Sequence, residues 1–172
     1  LEAQLATTSS AFALWCPEGH RVITWGNEEE GGDSSKVQEQ LRNVTQLVGS
    51  DTAFAALAND RVITWGSGFC DNSMVQDQLQ GVMRLFATKQ AFAAIKEDGS
   101  VVTWGSPLHG GDCREVQDQL RNVQHIQSSS GAFAAICDGK VITWGSALFG
   151  GDCGDVKDQL VDVEILQATE TA

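Results

Sequence analysis

Basic residues are scarce in this sequence. Eleven Lys and Arg stand against 23 Asp and Glu, for a formal net charge of −12 and a sequence pI of about 4.4. Binding to DNA or RNA backbones needs clustered Lys and Arg, so nucleic acid is excluded as an expected partner, and docking on anionic lipid is disfavoured for the same reason. No apolar run approaches the roughly 18–20 residues of a membrane-spanning helix, so no direct span is expected. No C-x-x-C pair occurs among Cys16, Cys70, Cys113, Cys137 and Cys153, and His20, His109 and His125 complete the set of soft donors. Zinc sites usually show as close ligand pairs, so no structural metal is expected, and an odd thiol count does not make a disulfide framework. Two prolines against 18 glycines indicate tight turns rather than a Pro-rich linker. The sequence opens at Leu1 with no signal-like apolar stretch after it, as expected of a processed or trimmed chain.

What the 172 residues do hold is enough apolar material for a packed core, at 42%, and it is periodic. AFAL begins at Ala11, AFAAL at Ala53, and AFAAI at Ala91 and Ala132, which are intervals of 42, 38 and 41 residues. A second phrase follows each time: VITWG at Val22 and Val62, VVTWG at Val101, VITWG at Val141. A third comes later: KVQEQLRNV, MVQDQLQGV, EVQDQLRNV, DVKDQLVDV. One unit is therefore written four times, and a fixed period near 40 residues marks a repeat architecture. The reading is a single domain over 1–172, with residues 1–10 as the closing strand of a preceding unit and repeats at 11–52, 53–90, 91–131 and 132–172.

The first two phrases are short runs of Val, Ile, Thr, Trp and Phe, and read as strands. Between them lie PEGH (17–20), ANDR (58–61), EDGS (97–100) and CDGK (137–140). Asp-Gly between strands signals a hairpin with positive φ at both central residues, so the two phrases pair antiparallel. Third strands are predicted over 44–48, 82–86, 123–127 and 163–167. The VQDQL element reads as a short helical or 3₁₀ turn, introduced by Asp33, Asp71, Asp112 and Asp152. These aspartates, or the residues after them, are good helix N-caps, and Asp112 with Glu115 has capping-box spacing. Structural capping is the preferred role of these carboxylates, and a metal site the alternative. The expected fold is all-β: a small β-propeller of about four blades, each with three or four short strands and a helical turn. The Ala-rich AFAA strand is expected innermost, near the axis. In a closed ring, the N-terminal strand would meet elements from the C-terminus and remove an exposed edge.

On these phrases, V-x-x-W-G and the Gly-containing loop after it above all, the chain resembles the regulator of chromosome condensation family of β-propellers. Short repeats of this kind, rich in AFAAI, VVTWG and VQDQL, resemble those of algal proteins, dinoflagellate ones in particular. The units are shorter than the family's usual blades, and four is fewer than its usual seven. The resemblance covers essentially the whole chain and implies a repeat type, not an activity. The loops that serve nucleotide exchange on a small GTPase in that family have no match here. Trp25, Trp65, Trp104 and Trp144, one per repeat in T-W-G, are expected to pack between blades as structural core.

No catalytic residue and no cofactor is expected. The three histidines occupy unrelated repeat positions, and the pairs Gly31-Gly32, Gly110-Gly111 and Gly150-Gly151 lack the following Lys of a phosphate-binding loop. Cys16 and Cys137 fall at equivalent positions of the first and last repeats, where a bridge is disfavoured because such positions usually lie too far apart. The loop after W-G is what varies: NEEEGGD, SGFCD, SPLHGGD, SALFGGD. Loops on a rigid scaffold tend to carry binding residues, and apolar tips serve as anchors. Glu28, Glu29, Glu30, Phe69, Leu108, His109 and Phe149 are accordingly the candidate partner contacts. The expected function is a non-catalytic scaffold that binds other protein subunits. Within it, the expectation is a peripheral accessory subunit of a large algal assembly, a photosynthetic membrane complex met from the plastid lumen side, with a cytoplasmic adaptor as the alternative. The competing classes are a small-ligand or glycan recognition propeller using the tryptophans, and a metal-dependent site on Asp33, Asp71, Asp112 and Asp152.

Overall fold

A computed structural model describes residues 2–172. Twelve strands form four three-stranded antiparallel sheets. The first holds β1 (Gln4–Thr7), β2 (Ala11–Cys16) and β3 (Arg21–Gly26); the second holds β4 (Val44–Gly49), β5 (Ala53–Ala58) and β6 (Arg61–Gly66). The third comprises β7 (Val82–Ala87), β8 (Ala91–Lys96) and β9 (Val101–Gly105), and the fourth β10 (Val123–Ser128), β11 (Ala132–Cys137) and β12 (Lys140–Gly145). This is a four-bladed β-propeller architecture with almost no helix. Each sheet is ordered by its chain sequence, so every AFAA strand is central.

That order corrects the expectation that AFAA lies innermost. The strands that approach their counterparts in the next blade are β1, β4, β7 and β10. Gln4 and Gln46 bridge them: Gln4 Nε2 donates to Thr45 O at 2.9 Å and its Oε1 accepts from Leu47 N at 3.0 Å, while Gln46 does the same with Leu85, at 2.7 Å both ways. The alanines serve a different purpose. A central strand is covered on both faces by neighbouring blades, and β5 is buried at every residue, so small side chains let the sheets close up.

The core is divided between the blade interfaces. Ala11, Ala13 and Trp15 of the first blade pack against Phe54, Ala56 and Trp65 of the second. Ala53, Ala55 and Leu57 meet Phe92, Ala94 and Trp104, and Ala91, Ala93 and Ile95 meet Phe133, Ala135 and Trp144. Each interface therefore pairs an alanine-rich face with a Phe/Trp face, and the alternation of the central strand supplies both. Within each blade the Phe and Trp are cross-strand partners with ring centroids 5.2–5.5 Å apart.

A second ladder fixes the blades in sequence. Ser9 N donates to Asp51 O, Asp51 N to Lys89 O, Lys89 N to Ser130 O and Ser130 N to Glu170 O, at 2.8–3.0 Å. Among the described residues no hydrogen bond or ion pair joins the fourth blade to the first, so the blades form an open arc rather than the closed ring considered from sequence. The strand expected over 163–167 is not formed. Its counterparts pair with the AFAA strand that follows them, and the described residues hold no such strand after this one.

One local expectation, the turn at 97–100, changes as well, while the expected VQDQL turns are formed. Positive φ occupies both turn centres at Asn59-Asp60 and Asp138-Gly139, but at 97–100 only Gly99 has it, so that hairpin closes through a longer turn. The VQDQL segments are 3₁₀ turns at Gln76–Gln78, Gln117–Gln119 and Gly154–Gln159, and a plain turn in the first repeat.

Candidate functional site

Inner and central strands are joined on one rim of the arc, and the loops after W-G return to that rim. Thr52 Oγ1 meets Ser67 Oγ at 2.8 Å, Ser106 N donates to Gln90 O at 2.8 Å, and Ser10 Oγ meets a Glu30 carboxylate oxygen. Each post-Trp loop is a single 3₁₀ turn: Glu28–Glu30, Gly68–Cys70, Pro107–His109 and Ala147–Phe149. In three of them a left-handed Gly closes the turn, at Gly31, Gly110 and Gly150. Gly31 and Gly110 are needed for room also, since a Cβ there would stand 2.5 and 2.6 Å from a ring carbon of Phe54 and Phe133 in the next blade.

These glycines explain the tryptophans. Trp65 Nε1 donates to Gly31 O at 3.0 Å, and Trp144 Nε1 to Gly110 O at 3.1 Å. Each indole reaches back to the loop of the preceding blade. The second loop, SGFCD, is two residues shorter and has no Gly pair, and the indole that would use it, Trp104 Nε1, is buried without a partner. Trp15 Nε1 is likewise buried and unpartnered. Trp25 departs from the expected core position: it is 46% exposed against 6% for Trp65, because no blade precedes its own among the described residues.

The candidate contact residues are not equally presented. Phe69 and Leu108 are 55% and 77% exposed at the tips of adjacent blades. Phe149 instead folds back on the Gly131 backbone, and its neighbour Leu148, which the sequence reading missed, takes the tip at 88% exposure. A signal was available, because Leu148 aligns with Leu108 in SPLH/SALF. Glu28 and Glu29 are exposed, while Glu30 is half-buried beside Ser10. His109 is half-buried, with Nδ1 at 3.2 Å from Ser106 Oγ. The rim thus carries three apolar tips on consecutive blades and an acidic stretch on the first, with Asp51 nearby in chain order.

The repeated aspartates do something other than cap the 3₁₀ turns. Asp33, Asp71, Asp112 and Asp152 each accept the backbone N–H two residues on, at 2.8–3.0 Å, which makes four Asx turns. The Ser35 and Ser73 amides hold the Asp33 and Asp71 carboxyls below the usual range, and the Arg114 side chain does so for Asp112. No three donors among His, Cys, Asp and Glu gather into a metal-sized group among the described residues. The histidines stay apart: His20 in a left-handed turn, His109 on the rim, and His125 edge-on to Phe86 at 5.8 Å.

Between outer strands run two related grooves. One, of about 560 Å³, lies between the third and fourth blades and is lined by Asp112, Cys113, Trp144, Asp152, Cys153 and Lys157. Another, of about 460 Å³, lies between the first and second, with Arg61, Asp71 and Asp77 in its wall. Burial pushes the Cys113 thiol up, and its Sγ donates to Gln117 Oε1 at 3.0 Å. All five cysteines are free, including Cys16 and Cys137.

A scan of protein-family models gave no match, and a search of curated proteins gave none either. Solved structures do match. Prp20p from Saccharomyces cerevisiae, described with its binding to Gsp1p and histones, superposes with a TM-score of 0.61 at 20% identity, over 86% of this chain and 45% of its own. The Arabidopsis thaliana receptor kinase ACR4 ectodomain of the CRINKLY WD40 type gives 0.56 at 14% identity, over 83% and 49%. Human WBSCR16 gives 0.55 at 17%, over 84% and 48%. The chain has the propeller fold of the yeast regulator of chromosome condensation, and it spans somewhat under half the length of the structures it matches.

Proposed function

We propose that this chain is a non-catalytic protein-interaction module that docks a partner on the rim carrying Phe69, Leu108 and Leu148. The observation that carries the reading is the exposure of three large apolar side chains on consecutive, hydrogen-bonded blades, since apolar anchors on a rigid frame lose little entropy on binding. Glu28 and Glu29 extend the same rim, so the partner we propose presents an apolar patch bordered by Lys or Arg. Propellers of this architecture hold proteins: yeast RCC1 (Prp20), 21% identical over 86% of this chain, was solved with Kap60. Peripheral attachment to a large algal, photosynthetic complex is the assembly we propose, supported by the sequence resemblance of the repeats. Burial of Trp65, Trp104 and Trp144 removes a repeated aromatic platform for a glycan, which favours the protein partner.

The test is co-purification from the native source with mass spectrometry, run with wild type, a Phe69→Asp/Leu108→Asp/Leu148→Asp variant and a Met74→Asp control. Met74 is exposed on the outer edge, away from the rim. A partner retained by wild type and the control, and lost by the triple variant, supports the reading. A partner retained by all three, or a chain that elutes alone, refutes it.

A further inference from the structure

At two of the three joints between blades a glutamine ties the inner strands together. Gln4 and Gln46 hold the same register position on β1 and β4. Each amide accepts from a backbone N–H of the next inner strand, at Leu47 and Leu85, and donates to a carbonyl of that strand. The third joint is built differently. Its register position on β7 is Arg84, and the residue that faces it on β10 is Ile126, which pairs with Ala135 as Leu85 pairs with Ala94. A guanidinium has donors and no acceptor, so it cannot take the Ile126 N–H as a glutamine oxygen would. No side chain among the described residues accepts from that N–H, and Arg84 makes no ion pair among them. The two strands meet there all the same, with Phe86 edge-on to His125 at 5.8 Å.

The charge around this gap is unlike the rest of the molecule. None of the four inner strands holds an Asp or Glu, although the chain has 23 of them, while β7 and β10 supply Arg84 and His125. The segments in matching register before β1 and after the fourth blade bring acids back, at Glu2 and Glu164. A groove of about 380 Å³ reaches Arg84 from the side of β4 and is lined by Thr45, Gln46, Met83, Arg84 and Phe86. Met83 is 59% exposed in it. The lining combines one unpaired cation and two apolar side chains with no carboxylate of its own.

We infer that the inner edge at Arg84 binds an acidic side chain of a protein segment lying along the inner strands. One carboxylate oxygen accepts from the Ile126 N–H, the place that Gln46 Oε1 takes on Leu85, and the other accepts from the Arg84 guanidinium, a charge-assisted contact. The methylenes of the incoming side chain lie on Met83 and Phe86. The internal copies specify the chemistry. At the other two joints that N–H is met by a side-chain oxygen, and here a cation stands where the stem of that side chain would begin. The group that completes the joint therefore brings both an acceptor and a negative charge. This site lies between the third and fourth blades, away from the apolar tips, and stands or falls independently of the rim reading.

The test is a proton–nitrogen NMR titration of the 172-residue chain. At roughly 100 mM salt, long-range repulsion from the net charge of −12 is screened and a contact pair is not. The probes are an end-blocked Ala-Glu-Ala-Glu-Ala peptide and its Gln counterpart. We expect saturable shifts at the Ile126 amide and the Arg84 Nε–H with the Glu peptide, and none with the Gln peptide. Arg84→Gln is expected to weaken binding at least about tenfold, as loss of a hydrogen bond to a charged group does. It also recreates the glutamine bridge, so the Ile126 amide should exchange more slowly in that variant. Circular dichroism checks the fold, and Arg84→Ala takes its place should Arg84→Gln not fold. Arg61→Gln, which removes an exposed cation on an outer strand, should bind as wild type does. Absence of saturable shifts at Ile126, equal shifts from the Gln peptide, binding that survives the change at Arg84, or an equal loss in Arg61→Gln overturns the inference.

Discussion

Trp65 and Trp104 form a matched pair in which one hydrogen bond differs. Both are almost fully buried, both stack on a Phe of their own blade, at 5.3 and 5.5 Å, and both pack against an alanine face. Trp65 Nε1 reaches Gly31 O, while Trp104 Nε1 reaches nothing, because the second loop lacks the Gly pair. Replacing each by Phe removes the same volume, so the packing losses largely cancel in the difference. What is left is a net hydrogen bond lost at 65, about 1 kcal/mol, and an unsatisfied buried donor relieved at 104, about 1–3 kcal/mol. Trp65→Phe should therefore destabilise by roughly 2–4 kcal/mol more than Trp104→Phe, with Trp144→Phe following Trp65→Phe. Urea unfolding followed by far-ultraviolet circular dichroism measures this without relying on the altered fluorophore. Equal costs at 65 and 104, or a larger cost at 104, would refute the account of how the loop glycines and tryptophans lock adjacent blades.

Gly31→Ala should cost at least about 1–3 kcal/mol, since its φ is +99° and the new Cβ would lie 2.5 Å from Phe54. Gly68→Ala, which meets nothing within 4 Å, should stay within about 0.5 kcal/mol of wild type; thermal melts compare them. Asp33 and Asp71 are held below the ordinary carboxylate range in the folded state by backbone amides. Their contribution is thus complete above the unfolded carboxylate pKa and is lost as pH falls through the lower folded value. The Asp33→Asn/Asp71→Asn variant, which keeps an accepting oxygen, should lose less stability between pH 5 and pH 3 than wild type (about two units spanning the ordinary carboxylate range). Burial pushes the thiols of Cys70, Cys113 and Cys137 up, so a colourimetric thiol titration at neutral pH should find the half-buried Cys16 and Cys153 reacting first and the other three only on unfolding.

The period near 40 residues made the blade legible, because a unit that recurs with V-x-T-W-G and AFAA must bury the same faces each time. The turn chemistry at Asn59-Asp60 and Asp138-Gly139 was legible for a similar local reason. Strand order was not. An alanine-rich run suits a crowded axis and a doubly covered central strand equally, and only the pairing of β5 with both β4 and β6 decides between them. The status of 163–167 was illegible too, since its residues match the inner strands but no AFAA strand follows it among the described residues. At the rim, composition pointed to the loops after W-G, but the choice between Leu148 and Phe149 depends on which side chain lies over Gly131. The exposure of Trp25 is a property of position in the array and is invisible in a motif that is identical at Trp65.

Hydrogen exchange on the natively co-purified complex, compared with the isolated chain, tests the rim most directly. The account predicts slowed exchange at the loop segments 67–70, 107–110 and 147–150 and at 28–31, with the opposite-rim turns at 58–61, 97–100 and 137–140 unchanged. Protection of those opposite turns alone, or no protection anywhere on the chain in the complex, would contradict it.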